Sequence, residues 1–245
     1  MEINILESHE DLSQQAAAII LRQLDAKKDM LLCAATGNTP TRTYELLAQE
    51  YGHQPKRFTD MRVLKLDEWG GLPMTDPGSC EYYLRTRLLT PLNINDRRFL
   101  SFRNDPADPQ EECRRIQGQL SEAGPIDCCL LGLGLNGHIG FNEPASFLQP
   151  GCHIARLSTT TLQHTMVAAA NRQPTYGLTL GMADILQARM ILILISGSSK
   201  KDIAREFLSR RVTPELPASF LWLHANTICL LDNQAAVSCD IPGNK

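Results

Sequence analysis

Five short runs rich in Leu, Ile, Val, Met and Cys punctuate this chain, at residues 30–35, 62–66, 126–131, 190–195 and 227–231. Each has the length of a strand, and most lack the polar alternation that a sheet with one wet face would impose. Strands buried on both faces need helices to cover them, and the intervening stretches supply candidates. Residues 11–24 place Leu12, Ala16, Ile19, Ile20 and Leu24 near one helical face. The pattern predicts an α/β fold in which a parallel sheet is covered by helices. With 245 residues, 43% of them hydrophobic, the chain can bury a full core and reads as a single domain, 1–245. No internal repeat divides it. The polar, proline-bearing connection 104–109 and the weakly apolar tail 233–245 mark no convincing boundary.

Charge narrows the partners. Lys plus Arg number 24 against 27 Asp plus Glu, so there is no broad basic field and nucleic acid is not expected as a partner. The longest strongly apolar run, 190–195, is far below the roughly 20 residues that cross a bilayer, so no membrane span is expected. Glu2 stands early, and no basic segment followed by an apolar one opens the chain, which points to a cytoplasmic location. Eight cysteines, Cys239 in the tail among them, show no C-x-x-C spacing. Metal binding is not expected. Cys33, Cys128, Cys129 and Cys229 fall inside apolar runs, where a reduced thiol packs as a small hydrophobe.

In open sheets of this kind, ligands bind beyond the carboxyl ends of the strands, so the loops there carry the functional reading. Residues 132–137 spell G-x-G-x-x-G after a strand, the signature of a dinucleotide site. Its context is wrong. Gly140 and Pro144 interrupt any helix opening here, and 151–157 holds no acid for a ribose hydroxyl. The glycines are instead expected to let the backbone approach a small ligand that His138 and Glu143 face.

Three other loops bear on the chemistry. In Thr36-Gly37-Asn38-Thr39-Pro40, Thr39 is a reasonable N-cap with Pro40 at the first helical position, which would aim free backbone N–H groups at an anion. An ordinary strand-to-helix turn has the same residues. Ser196-Gly197-Ser198-Ser199-Lys200 offers three hydroxyls and an ammonium at a second expected helix start, although Lys200 and Lys201 also suit a solvated surface pair. Asp67 and Glu68 end another strand, where one acts as a base or merely caps a turn. His138 alone reads as structural or as a proton shuttle. Together, a strand-end base, a histidine with a carboxylate and two anion-suited loops fit proton transfer on a sugar phosphate.

Four segments in order, Thr-Gly-Asn-Thr-Pro at 36–40, Leu-Asp-Glu-Trp at 66–69, Asn-Gly-His-Ile-Gly-Phe-Asn-Glu-Pro at 136–144 and Gly-Ser-Ser-Lys at 197–200, resemble the amino-sugar phosphate deaminase/isomerase family. Leu-Asp-Glu-Trp, with Pro-Ala-Ser-Phe-Leu-Trp-Leu-His at 217–224, is more similar to its galactosamine-6-phosphate branch than to its glucosamine-6-phosphate branch. The resemblance implies a single three-layer domain with a mostly parallel sheet, no metal and no organic cofactor. It implies conversion of an amino-sugar 6-phosphate to a ketose 6-phosphate and ammonia. Asp67 would move the proton between C2 and C1, His138 would assist ring opening, and Glu143 would orient or charge-tune it. Lys200 and the loop of Thr36, Gly37, Asn38 and Thr39 would hold the phosphate.

Two departures stand out. Asn136 occupies a position that is commonly Asp in the glucosamine branch, so it can accept from imidazole but supplies no charge. No clear counterpart exists for the family's phosphate-binding arginine after Thr161, with Arg172 the nearest, nor for its allosteric basic positions around 153–156. A 6-phosphogluconolactonase-like hydrolase shares the implied fold and a Gly-His loop, and ranks second. A catalytically silent sugar-phosphate sensor is the third reading. Against it, the chain enters its first helix too soon for an N-terminal helix-turn-helix, and Asp67, His138 and Glu143 are all present.

Overall fold

The computed structural model describes residues 1–163 and 165–236; Cys239 and the tail beyond residue 236 lie outside the described residues. In chain order the strands are β1 (Glu2–Leu6), β2 (Leu31–Ala34), β3 (Arg62–Lys65), β4 (Asp67–Gly70), β5 (Phe99–Leu100), β6 (Cys128–Gly132), β7 (His153–Ala155), β8 (Tyr176–Thr179), β9 (Ile191–Ile195) and β10 (Thr227–Asp232). The helices are α1 (His9–Ala26), α2 (Asn38–His53), α3 (Cys80–Leu84), α4 (Pro109–Ala123), α5 (Thr159–Leu162), α6 (Thr165–Ala169), α7 (Met182–Leu186) and α8 (Lys201–Leu208).

All five expected strands form, within two residues of their expected ends, and join β1 and β5 in one sheet ordered β1-β10-β9-β6-β2-β3-β5. Every adjacent pair in it is parallel. Successive side chains of a strand point to opposite faces, and here they feed two separate cores. Leu31, Cys33, Cys129 and Leu131 pack with Ile116 of α4, Ile185 of α7 and Phe207 of α8. Leu32, Ala34, Cys128 and Leu130 pack on the other side with Leu12 and Ile20 of α1 and Tyr44 and Leu47 of α2. The result is the expected three layers. Each fully buried leucine contributes roughly 1.5–3 kcal/mol, and the four cysteines of the apolar runs are buried free thiols within these cores.

The helix expected at 11–24 spans His9–Ala26, started by Ser8, whose hydroxyl accepts from the backbone N–H of Asp11 at 3.2 Å. A second, antiparallel sheet, β4-β8-β7, was not foreseen. It arises where the chain leaves β3. Leu66 alone separates β3 from β4, so one continuous extended segment serves two sheets. Its N–H bonds Ala34 of the large sheet, and its carbonyl accepts from Leu180 at 3.1 Å beside the small one.

Strand order fixes where a ligand can enter. From β2 the chain steps to β3 and β5 on one side, then returns to place β6 on the other side of β2. The loops leaving β2 and β6 therefore diverge and open a crevice at the carboxyl ends of those strands.

Candidate active site

That crevice holds a cavity of about 300 Å³. Thr36, Gly37, Asn38 and Thr39 line it from the loop after β2, Asp67 from the β3–β4 junction, His138 from the loop after β6 and Lys200 from the loop after β9. Four strand ends thus bring together seven of the nine residues singled out in the sequence. Asn136 and Glu143 do not line it; they stand behind His138.

The loop after β2 begins its helix earlier than expected. Gly37, not Thr39, is the N-cap residue, with φ of 107° and no side-chain cap bond. Its left-handed backbone turns the chain directly into α2, so Pro40 falls at the third helical position, still within the first turn, where its missing N–H costs no intrahelical bond. Tyr83 braces the turn by donating to the Gly37 carbonyl at 2.7 Å, with the Thr41 hydroxyl 2.8 Å from its own oxygen.

The loop after β9 matches its expectation in part. Lys200 is half-buried at the cavity and donates to the Leu133 carbonyl at 2.5 Å, whereas Lys201 is exposed. Burial pushes the Lys200 ammonium down to about 8. The serines are not cavity groups. Ser196 donates to Asp232 at 2.5 Å, and Ser198 and Ser199 are exposed.

Asp67 lies at the cavity wall and is only 7% exposed. Burial, reinforced by the neighbouring negative charge of Glu68, raises its carboxyl to about 7. Glu68 has a different fate from its neighbour. It turns away into a wholly buried cluster, where Lys65 donates to it at 2.6 Å, to Glu81 at 2.8 Å and to the Phe102 carbonyl at 2.8 Å. Glu68 also accepts from the N–H groups of Trp69, Cys80 and Glu81 at 2.8, 2.9 and 2.9 Å. Desolvation works against the Lys65 charge, but the two carboxylates outweigh it and raise its proton affinity. Of the strand-end pair, Asp67 faces the cavity and Glu68 is an anchor.

His138 is held from behind by a relay. A carboxylate only accepts, so Asn136 turns its amide nitrogen to Glu143, at 2.8 Å, and its oxygen to Nδ1 of His138, at 2.6 Å. Nδ1 therefore carries hydrogen, and Nε2 is the nitrogen that can take up a further proton. The Glu143 carboxylate is itself 3.8 Å from Nδ1, so amide, imidazole and carboxylate form one compact cluster. Glu143 was expected to face a ligand beside His138; here it is absent from the cavity lining and packs against Asn136 and the Nδ1 side of the imidazole.

The glycines of 132–140 also serve a packing role that the sequence did not show. A Cβ on Gly134 would stand 2.4 Å from ring atoms of His138, and one on Gly140 would stand 2.8 Å from Oγ1 of Thr179 and 3.5 Å from Oδ2 of Asp67. Gly134 and Gly140 thus make room for the protein's own side chains, and together with Gly132, which has open space beside it, they also expose backbone to the cavity. No helix follows the motif, as anticipated.

Several cavity groups escaped the sequence reading. Thr160, Thr161 and Gln163 line it from a segment started by Ser158, and Thr161 Oγ1 is 3.3 Å from Nδ1 of His138. The hydroxyl run 158–161 was their only signal. Trp69 and Phe141 add an aromatic wall, their rings 4.4 Å apart. Arg172 does not line the cavity; it is exposed, 3.9 Å from Asp105. His153–Ala155 is strand β7 of the small sheet. Among the described residues no cluster of His, Cys, Asp or Glu is suited to a metal, and no helix is long and apolar enough to cross a membrane.

The family model for glucosamine-6-phosphate isomerases/6-phosphogluconolactonase matches residues 7–229. The chain belongs to that family. Within it, the chain is 41% identical to AgaI of Escherichia coli (strain K12), a provisionally named deaminase, over 93% of this chain and 90% of that one. It is 33% identical to a glucosamine-6-phosphate deaminase of Clostridium botulinum, covering 96% of this chain and 98% of the relative. The structure of a monomeric glucosamine-6-phosphate deaminase superimposes with a TM-score of 0.92 at 34% identity, covering 96% and 98% of the two chains. The 6-phosphogluconolactonase of Trypanosoma brucei shares the fold, with a TM-score of 0.74 at 22% identity over 96% and 97%.

Proposed function

We propose that this protein isomerises and deaminates an amino-sugar 6-phosphate, with galactosamine 6-phosphate preferred over glucosamine 6-phosphate. The observation that carries the reading is Asp67: a carboxylate poised near neutrality at the wall of a cavity that also holds His138, Lys200 and the amide-lined start of α2. A base with a pKa close to the working pH is suited to moving a carbon-bound proton. The high identity to deaminases, against fold-level likeness to lactonases, supports the same reaction class.

In the proposed sequence, Lys200 and the 36–39 loop hold the phosphate. His138, with hydrogen fixed on Nδ1, removes the anomeric hydroxyl proton through Nε2 and returns it to the ring oxygen as the C1–O5 bond breaks. Asp67 then takes the C2 proton while the substrate's own C2 ammonium gives a proton to O1, leaving an enol with a neutral amino group on C2. Return of that proton to C1 gives a C2 iminium, to which water adds as ammonia leaves. The ketose 6-phosphate and ammonia account for all atoms of the amino sugar and one water. Holding the anionic end fixed lets one carboxylate reach both carbons.

The preference for galactosamine 6-phosphate rests on the branch-like segments 66–69 and 217–224 and on Asn136. Residues 217–223 form a short helical turn against the His138 loop, Ala218 donating to the Gly137 carbonyl at 3.0 Å, so that segment acts on the cavity through the loop. The cytoplasm, where sugar phosphates are kept, is the proposed location. The test is a panel of both hexosamine phosphates and 6-phosphogluconolactone, read by ammonia release and ketose formation. Ammonia from either amino sugar is the expected result. Lactone hydrolysis without ammonia overturns the reaction class, and a higher kcat/KM for glucosamine 6-phosphate overturns only the preference.

A further inference from the structure

Cys80 is fully buried, among the chain's least accessible thiols, yet it touches two groups of the cavity wall. Its Sγ donates to Oδ1 of Asp67 at 3.7 Å and lies 3.5 Å from the hydroxyl oxygen of Thr36. The thiol is placed with care by its surroundings. Ser79 caps α3 by accepting from Tyr82 at 3.0 Å, and the Glu68 carboxylate takes the backbone N–H groups of Cys80 and Glu81, both at 2.9 Å. The first residue of the helix is thereby pinned beside Asp67. The other oxygen, Oδ2, points toward Gly140, 3.5 Å from where a Cβ on that cavity residue would stand.

We infer that Cys80 is a positioning residue for Asp67: its thiol holds Oδ1 and so leaves Oδ2 as the oxygen that exchanges the proton with substrate. The inference rests on the reading of Asp67 as the base. A carboxylate that rotates freely presents either oxygen, whereas one tethered through Oδ1 keeps Oδ2 aimed at the cavity. The thiol is a dependable donor because burial, with Glu68 and Asp67 beside it, keeps it protonated. Its bond to the ionised carboxylate offsets part of the effect of burial and Glu68 on Asp67. Among the described residues, the other titratable and charged groups around Asp67 are Lys65 on β3, Cys33 on β2, Tyr44 on α2, and His138 and Lys200 across the cavity.

The test uses the full chain with Cys80→Ala and Cys80→Ser, each first shown to unfold as cooperatively as the native protein. Turnover of galactosamine 6-phosphate and glucosamine 6-phosphate is followed against pH. The ionised carboxylate is the active form, so losing a bond to it raises its pKa. The acidic limb of kcat in Cys80→Ala should move to higher pH by about half a unit or more, KM staying within about two-fold. Cys80→Ser, which keeps a donor, should return the limb toward its native position. A readout independent of activity is the infrared S–H stretch of Cys80, assigned by its loss in Cys80→Ser, which should shift when Asp67→Ala removes the acceptor. A Cys80→Ala profile superimposable on the native one, or an S–H band unmoved in Asp67→Ala, overturns the inference. Unchanged C2 proton exchange in Asp67→Asn would instead remove the base reading, and the infrared result would still report whether the tether exists.

Discussion

The amide oxygen of Asn136 lies 2.6 Å from Nδ1 of His138, while the same amide's nitrogen lies 2.8 Å from Glu143. An aspartate in its place would therefore meet two groups of opposite preference. It would attract a protonated imidazole and repel the Glu143 carboxylate, and both effects raise the proton affinity of the cluster. Asn136→Asp should move the pH dependence of ring opening, which needs an imidazole able to accept, to higher pH. Phosphate binding should survive. Profiles of kcat/KM for both hexosamine phosphates check this, and superimposable native and variant profiles would remove the effect.

Asp67→Asn should abolish most solvent-deuterium exchange at C2 while sugar-phosphate affinity stays within an order of magnitude. A general base contributes about 100- to 10,000-fold. In the native protein, exchange should fall as pH drops through about 7, because burial and Glu68 hold Asp67 there and protonation removes the base. Exchange at saturating substrate that matches the native rate would exclude Asp67 from the role.

Lys200→Ala should weaken phosphorylated ligands roughly ten-fold or more relative to the unphosphorylated sugars, since a charge-assisted bond contributes about 1.5–3 kcal/mol. Burial brings this ammonium down to about 8, so in the free protein phosphate affinity should decline as pH rises through that value. Calorimetric titration with each ligand separates the cases. Equal losses for both ligand types would point to damaged folding.

Lys65→Met should cost stability rather than binding contacts. It leaves Glu68 and Glu81 buried without their shared cation, a loss of about 3–5 kcal/mol when one partner of a buried pair is removed. For a domain of this size about 1 kcal/mol shifts Tm by roughly 2–4 °C, so thermal unfolding should move down by several degrees. An unchanged Tm would show that the cluster is not held ionised.

Much of the fold was legible because buried parallel strands need uninterrupted apolar runs, and each of the five runs became a strand. The small sheet was not legible. Its strands β4, β7 and β8 are three or four residues long, and Gly70 and Gly177 within them carry no apolar signal. β1 is an edge strand, partly exposed, and so lacks the apolar density of the others. In the site, strand-end loops announced themselves through residue type. What sequence could not convey was rank: that Glu143 bonds the Asn136 amide behind His138, that Glu68 is turned away from the cavity while its neighbour faces it, and that Thr161 reaches His138 from 23 positions away. Each depends on which side of a loop a chain segment returns to, a fact of topology rather than composition.

Leu66, the single residue between the two sheets, ties the place of Asp67 to the mouth of β2, because its N–H is bonded to the Ala34 carbonyl and its own carbonyl to the Leu180 N–H. A relative that acquires a new sugar cannot slide that carboxylate along the crevice without breaking the pairing of one sheet or the other. On the proposed reading, the position of the base is thus set by the backbone at the strand junction, while the side chains around it in 66–69, at Asn136 and in 217–224 are where a sugar preference is set.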